Sequence, residues 1–201
     1  IAKDIRNIAF MGFWNVVKNL SVIRSNLKFC KEDILTFKPD ALILVDYPGF
    51  NLRIAKYAKK NRIPVFYYIS PKVWAWNKRR ISRIKKFVDH LLVIFPFEVE
   101  FYKNYNLDVN YVDNPLLDEI NKKDYKFTYK SSKPIIGLFP GSRKQEIDSI
   151  LPEMLTVVDN YPNYQFVIAC SNILSREYYQ SFIKNKNVIL VFNETYGVLE
   201  N

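Results

Sequence analysis

Two short stretches of this 201-residue sequence pair a reactive side chain with the backbone needed to present it. In VDYPGFN, Val45 to Asn51, a carboxylate follows directly on an apolar run. Pro48 and Gly49 suit the two central positions of a type II turn. Ligands of open parallel sheets bind beyond the carboxyl ends of the strands, so Asp46 stands where a carboxylate can take a proton from a substrate hydroxyl. The same position suits an aspartate that only bonds turn amides or caps the next helix. In LFPGSRKQEI, Leu138 to Ile147, an apolar run ends at Phe139, turns through Pro140-Gly141 and gives way to a helical pattern. Ser142 and Gln145 have the spacing of a capping box. Gly141 would let a ligand approach the backbone, and the new helix would offer unpaired N–H groups and a positive dipole end. Arg143 adds a planar cation suited to phosphate oxygens. These features describe a diphosphate site. A plain capped helix with a surface arginine is the other reading, and the stretch is neither a Walker loop nor a Gly-x-Gly-x-x-Gly fingerprint.

A third stretch, SPKVWAWNKRR (70–80), sets Trp74 and Trp76 beside Lys78, Arg79 and Arg80, with Arg83, Lys85 and Lys86 following. Ile81, Ile84 and Val88 form a narrow apolar stripe among these cations, so 78–88 reads as a basic amphipathic helix. Next to tryptophans, such a helix describes an element that lies on an anionic membrane surface. A solvated helix face beside core tryptophans is the bland alternative, and a nucleic-acid groove is the rival without a motif to support it. In IFPFEVEFY (94–102), Pro96 and Glu98 mark a helix start, which accounts for most of the stretch without making Glu98 a ligand contact.

The charge is concentrated. The net charge is +10, yet the 42 positions from 47 to 88 hold twelve Lys and Arg and no acidic residue. Such a block points to an anionic partner: phospholipid, nucleic acid or a phosphorylated substrate. The two cysteines, Cys30 and Cys170, lie in apolar neighbourhoods and read as reduced core residues rather than a disulfide. A single histidine, His90, gives no basis for a zinc site or a histidine triad. The longest apolar run, Leu91 to Phe97, falls far short of the roughly 20 residues needed to span a bilayer.

What must position these residues is an alternation of strands and helices. Strand-like runs recur as ALILV (41–45), PVFYYI (64–69), HLLVIF (90–95), VNYV (109–112), PIIGLF (134–139), YQFVIA (164–169) and NVILVF (187–192). Helical patterns between them predict βαβ units, parallel sheets and helices on both faces, which fits the unbroken apolar strands. An apolar stripe of Trp14, Val17, Leu20, Ile23, Leu27, Cys30 and Ile34 predicts a long helix before the first strand. Residues 113–133 are polar and break the rhythm, so a domain junction is expected there. A start at Ile1, with no strand before the first helix, and a stop at Asn201 both read as internal cuts.

Taken in order, MGFWNVVKNL (11–20), KPDALILVDYPGFNLRIAK (38–56), YYISPKVWAWNKRRISRIKKFVD (67–89), FPFEVEFYKNYN (95–106), NPLLDEI (114–120) and LFPGSRKQEI (138–147) resemble lipid-A-disaccharide synthase, the inverting glycosyltransferase of Gram-negative lipid A assembly. The resemblance runs from about residue 10 to the end. It implies a GT-B type α/β fold, two Rossmann-like doubly wound domains with the active site in the cleft, both incomplete here. The expected division is 1–115 for the acceptor domain without its first strand, 116–132 for a linker and 133–201 for the start of the nucleotide-sugar domain. The implied reaction joins UDP-2,3-diacylglucosamine to 2,3-diacylglucosamine 1-phosphate (lipid X), giving a β-1,6-linked disaccharide 1-phosphate and UDP. Asp46 matches the general base. Arg143 matches the arginine that steadies the departing diphosphate, and Gly141 and Ser142 would contact that phosphate. No metal or cofactor is implied. Trp74, Trp76, Lys78, Arg79, Arg80 and Arg83 would touch acyl chains and the anionic inner-membrane surface of a cytoplasmic, peripheral enzyme that binds no nucleic acid. A Gly-Glu-x-Ser-Gly-Asp motif and a Ser-Gly-Thr-x-x-Leu-Glu motif of the family have no counterpart here. Asp113-Asn114 replaces a common Gly-His, so neither residue takes a role. Another GT-B transferase acting on a lipid-linked sugar, or a non-catalytic basic module, are the alternatives, and a fragment of this extent is expected to be inactive alone.

Overall fold

A computed structural model describes residues 20–121 and 125–200. The chain divides into two compact units, with the boundary between Leu117 and Asp118.

The first unit runs α1 (Leu20–Phe37), β1 (Leu42–Val45), α2 (Pro48–Lys60), β2 (Val65–Tyr68), α3 (Arg80–Phe87), β3 (His90–Val93), α4 (Pro96–Lys103) and β4 (Asn110–Tyr111), and α5 (Pro115–Ile120) begins at its end. Four parallel strands lie in chain order, β1-β2-β3-β4, the order of one βαβαβ half of a doubly wound sheet. Right-handed crossovers between strands in that order send every connecting helix to one side. The core accordingly lies on one face. Leu44, Val65, Tyr67, Leu91 and Val93 of the strands pack with Ile34 of α1, Leu52 and Ala55 of α2, Ile81 and Ile84 of α3 and Tyr102 of α4. Within the described part of α1 the predicted stripe holds from Ile23 onward, with Ile23 and Ile34 buried and Leu27 and Cys30 half-buried, whereas Leu20 is exposed; Trp14 and Val17 lie outside the described residues. Strands apolar on both faces led to the expectation of helices on both faces. Among the described residues, the second face of this sheet is open, with Ile43 68% and Val45 51% exposed.

The second unit runs β5 (Ile135–Leu138), α6 (Lys144–Leu155), a 3-10 turn (Val158–Asn160), β6 (Gln165–Cys170), α7 (Arg176–Ile183), β7 (Val188–Phe192) and α8 (Thr195–Glu200). Its three parallel strands are also in chain order. Here both faces are covered, and all six residues of β6 are buried. On one side Leu138, Phe166, Ile168 and Cys170 meet Ile147 and Leu151 of α6 and Tyr179 of α7. On the other, Val167 and Val191 meet Val198 of α8, with Phe127 and Tyr129 packed alongside. Residues 125–129, within the stretch expected to link the domains, are therefore part of this wall. Thr128 fixes them by donating its N–H and its hydroxyl to the Glu194 carboxylate at 2.7 and 2.8 Å. All seven predicted strands form; six lie within their predicted runs, and β6 extends one residue further, to Cys170.

Candidate active site

In the first unit the chemistry gathers where the strands end. Asp46 extends the ladder by one bond, its N–H donating to the Tyr68 carbonyl at 3.0 Å. The backbone then turns sharply, since Asp46 and Tyr47 both have φ 44°, two left-handed non-glycine residues in succession. The predicted type II turn does not form. Pro48 is instead the first residue of α2 and Gly49 lies within that helix, because a ring that fixes φ near −65° is already set for a helix start. The left-handed turn swings the Asp46 carbonyl onto two donors: the Tyr67 hydroxyl at 2.5 Å and Asn51 Nδ2 at 2.7 Å. Asn51 Nδ2 also donates to the Val45 carbonyl at 2.9 Å. The Asp46 side chain is exposed, and its carboxylate has no hydrogen bond or ion pair among the described residues. Burial pushes the Tyr67 hydroxyl well above its ordinary pKa, and the Asp46 charge adds to that rise. The same hydroxyl also feels Arg80 as a counter-effect, so that guanidinium stands within electrostatic reach of the strand ends.

The loop from Ile69 to Arg79 is tied down by a buried acid. Glu98, 2% exposed, accepts from the Ser70 hydroxyl at 2.5 Å through one oxygen. Its other oxygen accepts the N–H groups of Ile94 and Phe95 at 3.3 and 3.1 Å. Its carboxylate is thus fully engaged within the fold, the bland reading of that residue. Tyr102, whose hydroxyl burial pushes up to about 12, donates to the Pro71 carbonyl at 3.3 Å. The two tryptophans part company. Trp74 is half-buried, edge-on to Phe97 with centroids 5.1 Å apart, and its buried Nε1 has no acceptor among the described residues. Trp76 is 62% exposed, with the Arg80 guanidinium 4.7 Å above its ring. The basic amphipathic helix forms as α3, burying Ile81 and Ile84. Lys78, Arg79 and Arg83 are exposed, whereas Arg80 is half-buried. Asp113 is left-handed at φ 62°, and Asn114 Oδ1 accepts the Leu116 N–H at 3.1 Å, a local cap on α5.

In the second unit, the ends of β5, β6 and β7 open on a cavity of about 530 Å³ lined by Phe139, Gly141, Ser142, Ser171, Asn172 and Asn193. Gly141 has φ 101°, a conformation that side-chain-bearing residues rarely adopt. The capping box forms one residue later than predicted. Arg143 is the N-cap of α6, and Glu146, not Gln145, reaches back to accept the N–H groups of Ser142 and Arg143 at 3.1 and 3.2 Å. A carboxylate wins over the neighbouring amide because hydrogen bonds to an ionised acceptor at a helix N-terminus are the stronger ones. Glu146 also pairs with the Arg143 guanidinium at 2.8 Å. That pairing and the two N–H bonds hold its carboxyl below the usual range. Gly141 and Ser142 thus line the cavity, and Arg143 stands beside it with its charge already engaged. Cys170 backs the cavity, its thiol pushed up to about 12 by burial, which makes it a poor nucleophile. Cys30 and Cys170 are both free thiols. No cluster of three or more His, Cys, Asp or Glu able to hold a metal occurs among the described residues.

Several residues of these two sites escaped the sequence reading. Asn51 and Tyr67 act through a carbonyl, which no side-chain pattern reveals. Asn172 and Asn193 follow β6 and β7, and the rule that ligands gather at strand ends would have flagged both.

Solved structures share the fold. The structure titled "S. aureus MnaA-UDP co-structure" matches with a TM-score of 0.59 at 14% identity, covering 90% of this chain and 55% of that one. A UDP-GlcNAc 2-epimerase from Neisseria meningitidis bound to UDP-GlcNAc matches with a TM-score of 0.56 at 14% identity, covering 94% of this chain and 57% of its own. In sequence, the lipid-A-disaccharide synthase of Trichlorobacter lovleyi is 40% identical over 182 residues, 86% of this chain and 48% of that protein. Lipid-A-disaccharide synthase 1 of Legionella pneumophila is 37% identical over 204 residues, 96% of this chain and 53% of that protein. The chain thus spans about half the length of these synthases. The family model for lipid-A-disaccharide synthetase matches residues 2–196, a span that takes in the Asp46 turn, the tryptophan loop and the Gly141–Arg143 corner alike. With nearly the whole sequence matched, this chain belongs to the lipid-A-disaccharide synthase family.

Proposed function

We propose that this chain supplies the acceptor side and the first part of the nucleotide-sugar side of a lipid-A-disaccharide synthase. The acceptor domain would be residues 1–115, and 133–201 would begin the nucleotide-sugar domain after a connecting stretch at 116–132, of which residues 125–129 pack on that domain's sheet. In the reaction, Asp46 takes the proton from the 6-hydroxyl of 2,3-diacylglucosamine 1-phosphate. The freed oxygen bonds to the anomeric carbon of UDP-2,3-diacylglucosamine from the face opposite the nucleotide. The bond from that carbon to the diphosphate breaks, and UDP departs with the electron pair. Arg143, Ser142 and the backbone at Gly141 would steady the charge that develops on the diphosphate, the kind of preorganised donor set that carries such reactions.

The observation that most supports this reading is the Asp46 carboxylate, exposed at a strand end and unpaired among the described residues, on a backbone held in an unfavourable conformation. Strain of that kind collects at functional sites. For the acyl chains and the membrane, the reading uses Trp76 and Phe97, both exposed, with Lys78, Arg79 and Arg83 exposed beside them. The reading takes attachment at the inner face to be peripheral, through these residues; no described helix is long and apolar enough to cross a membrane. The test uses the full-length protein with both acylated sugars. Asp46→Asn and Arg143→Ala should each lower kcat by at least about 100-fold, as removing a general base or a charge-stabilising group does. Disaccharide formation at the wild-type rate in both variants would discard the assignment.

A further inference from the structure

We propose that Tyr67 and Asn51 are positioning residues for Asp46. They clamp its carbonyl oxygen, and so hold the backbone in the left-handed turn that leaves the carboxylate free at the sheet edge. This rests on the reading of Asp46 as the base.

Consider first what the turn needs. A residue leaving a parallel strand has no local reason to turn left-handed, and two non-glycine residues doing so in succession are held against their intrinsic preference. Something must select this conformation over its competitors, and the hydrogen bonds around it identify what does. Val45 and Asp46 together receive three side-chain hydrogen bonds on their carbonyls: Tyr67 Oη to Asp46 at 2.5 Å, Asn51 Nδ2 to Asp46 at 2.7 Å and Asn51 Nδ2 to Val45 at 2.9 Å. The donors come from two different elements. Tyr67 lies on β2 in register with Leu44, fully buried, so its long phenol reaches past the end of β1 from the core side. Asn51 sits in the first turn of α2, directly after the left-handed pair. Satisfying a single carbonyl needs one donor, whereas here both lone pairs of Asp46 are taken.

The chemistry of the donors matters as much as their number. A hydroxyl and an amide are neutral, so they restrain the main chain without neutralising the side chain. An arginine or lysine in either place would bring a cation to the carboxylate and commit it to an ion pair. The result is an acid whose backbone is fixed and whose carboxylate is unengaged, which a proton acceptor requires.

The test is a double-mutant cycle in the full-length enzyme, with UDP-diacylglucosamine and the diacylglucosamine 1-phosphate acceptor as substrates. Tyr67→Phe and, separately, Asn51→Ala should lower kcat by about 10- to 100-fold, the cost of a small displacement of a reacting group. The KM for each substrate should stay within about twofold, since ground-state binding is untouched. In an Asp46→Asn background, neither substitution should lower the residual rate further, because a residue that acts through Asp46 has nothing left to position. Equal fold losses in both backgrounds would show a general packing role and overturn the proposal, as would wild-type kcat in both single variants. Asn51→Ala serves where Tyr67→Phe disturbs folding, because Asn51 is only half-buried. Wild-type activity in Asp46→Asn itself would sink the base reading, and the clamp with it. An inactive Asp46→Asn beside fully active clamp variants would sink the clamp alone.

Discussion

Replacing Gly141 by alanine tests whether the corner after β5 is held by backbone geometry that only glycine can supply. Gly141 has φ 101°, and a Cβ there would lie 2.5 Å from Glu146 Oε2 and 3.0 Å from Glu146 Cβ. Two costs follow. An alanine forced to keep this φ carries about 1–3 kcal/mol of strain. The new methyl also expels the Glu146 carboxylate from its place, and with it the two N–H bonds and the guanidinium contact that begin α6. The strain alone should lower the urea midpoint of the second unit by about 0.5–1.5 M, for a slope of roughly 2 kcal/mol/M. The two units can be followed separately, because all three tryptophans, Trp14, Trp74 and Trp76, precede the boundary at Leu117. Far-ultraviolet circular dichroism reports both units, while tryptophan emission reports the first. In Gly141→Ala the dichroism transition should acquire an early component while the emission midpoint stays fixed. Gly49→Ala is the control: nothing lies within 4 Å of its added Cβ and Gly49 is helical, so the emission midpoint should hold or rise and neither signal should acquire an early component. An unshifted dichroism curve in Gly141→Ala, or an emission midpoint that moves in step with it, would refute the reasoning.

Other perturbations probe the remaining devices. Glu146→Gln frees the Arg143 guanidinium and should tighten UDP binding by about two- to fivefold at low salt, with the gain fading as ionic strength rises; calorimetric titration that shows weaker binding would make Glu146 a contact rather than a competitor. Glu98→Gln turns an amide towards the N–H groups of Ile94 and Phe95 and should cost about 1–3 kcal/mol in denaturant unfolding, with red-shifted tryptophan emission as the Ser70 loop loosens. Replacing Lys78, Arg79 and Arg83 by Gln should release the full-length protein from vesicles rich in anionic lipid, since each basic residue contributes about 1 kcal/mol at such a surface; unchanged cosedimentation would remove α3 from the docking surface. Acid stability has a defined sign. Asp89 is pushed up by partial burial, but Lys59 and the Val65 N–H outweigh that and hold its carboxyl low, as Arg143 holds Glu146 low. Both groups are lowered in the folded state, so their contribution is complete above the ordinary carboxylate value near 4. It is lost as pH falls through the lowered folded value, and Asp89→Asn with Glu146→Gln should flatten that acid limb in thermal unfolding.

The strands were legible because each is a β-branched or aromatic run set between polar stretches, and the Pro-Gly corner after β5 marks where a helix must begin. Legibility failed where the deciding contact is remote or where two near neighbours compete. Pro48-Gly49 has the composition of a type II turn, but the conformation is set two residues earlier, at Asp46, whose carbonyl accepts from Tyr67, 21 positions away. Gln145 and Glu146 both lie within capping reach, and the choice rests on charge and on the guanidinium of Arg143. Trp74 and Trp76 look equivalent in sequence, yet Phe97 lies beside one of them and solvent around the other. The apolar residues Ile43 and Val45 promise a covered second face, but no described element lies on them.

The two units hold their reactive groups by opposite means. At Asp46 every restraint seen among the described residues falls on the main chain, so under the proposed reading the charged group would meet its substrate without first losing a partner. At Arg143 the restraint is the charged group itself. Glu146 occupies the Ser142 and Arg143 amides and the guanidinium, the same donors that the proposed reading gives to a diphosphate. An incoming diphosphate must therefore displace a carboxylate of like charge, and only the surplus of its interaction over that of Glu146 appears as affinity. Under that reading the exchange would keep the start of α6 capped when the nucleotide is absent, and would make binding less favourable than the donor count suggests. It also favours a ligand with more negative charge than a carboxylate carries. Under the proposed reading, the departing diphosphate gains charge as its bond to the sugar breaks. Arg143 would then bind the transition state better than the ground state, which is the difference that accelerates a reaction.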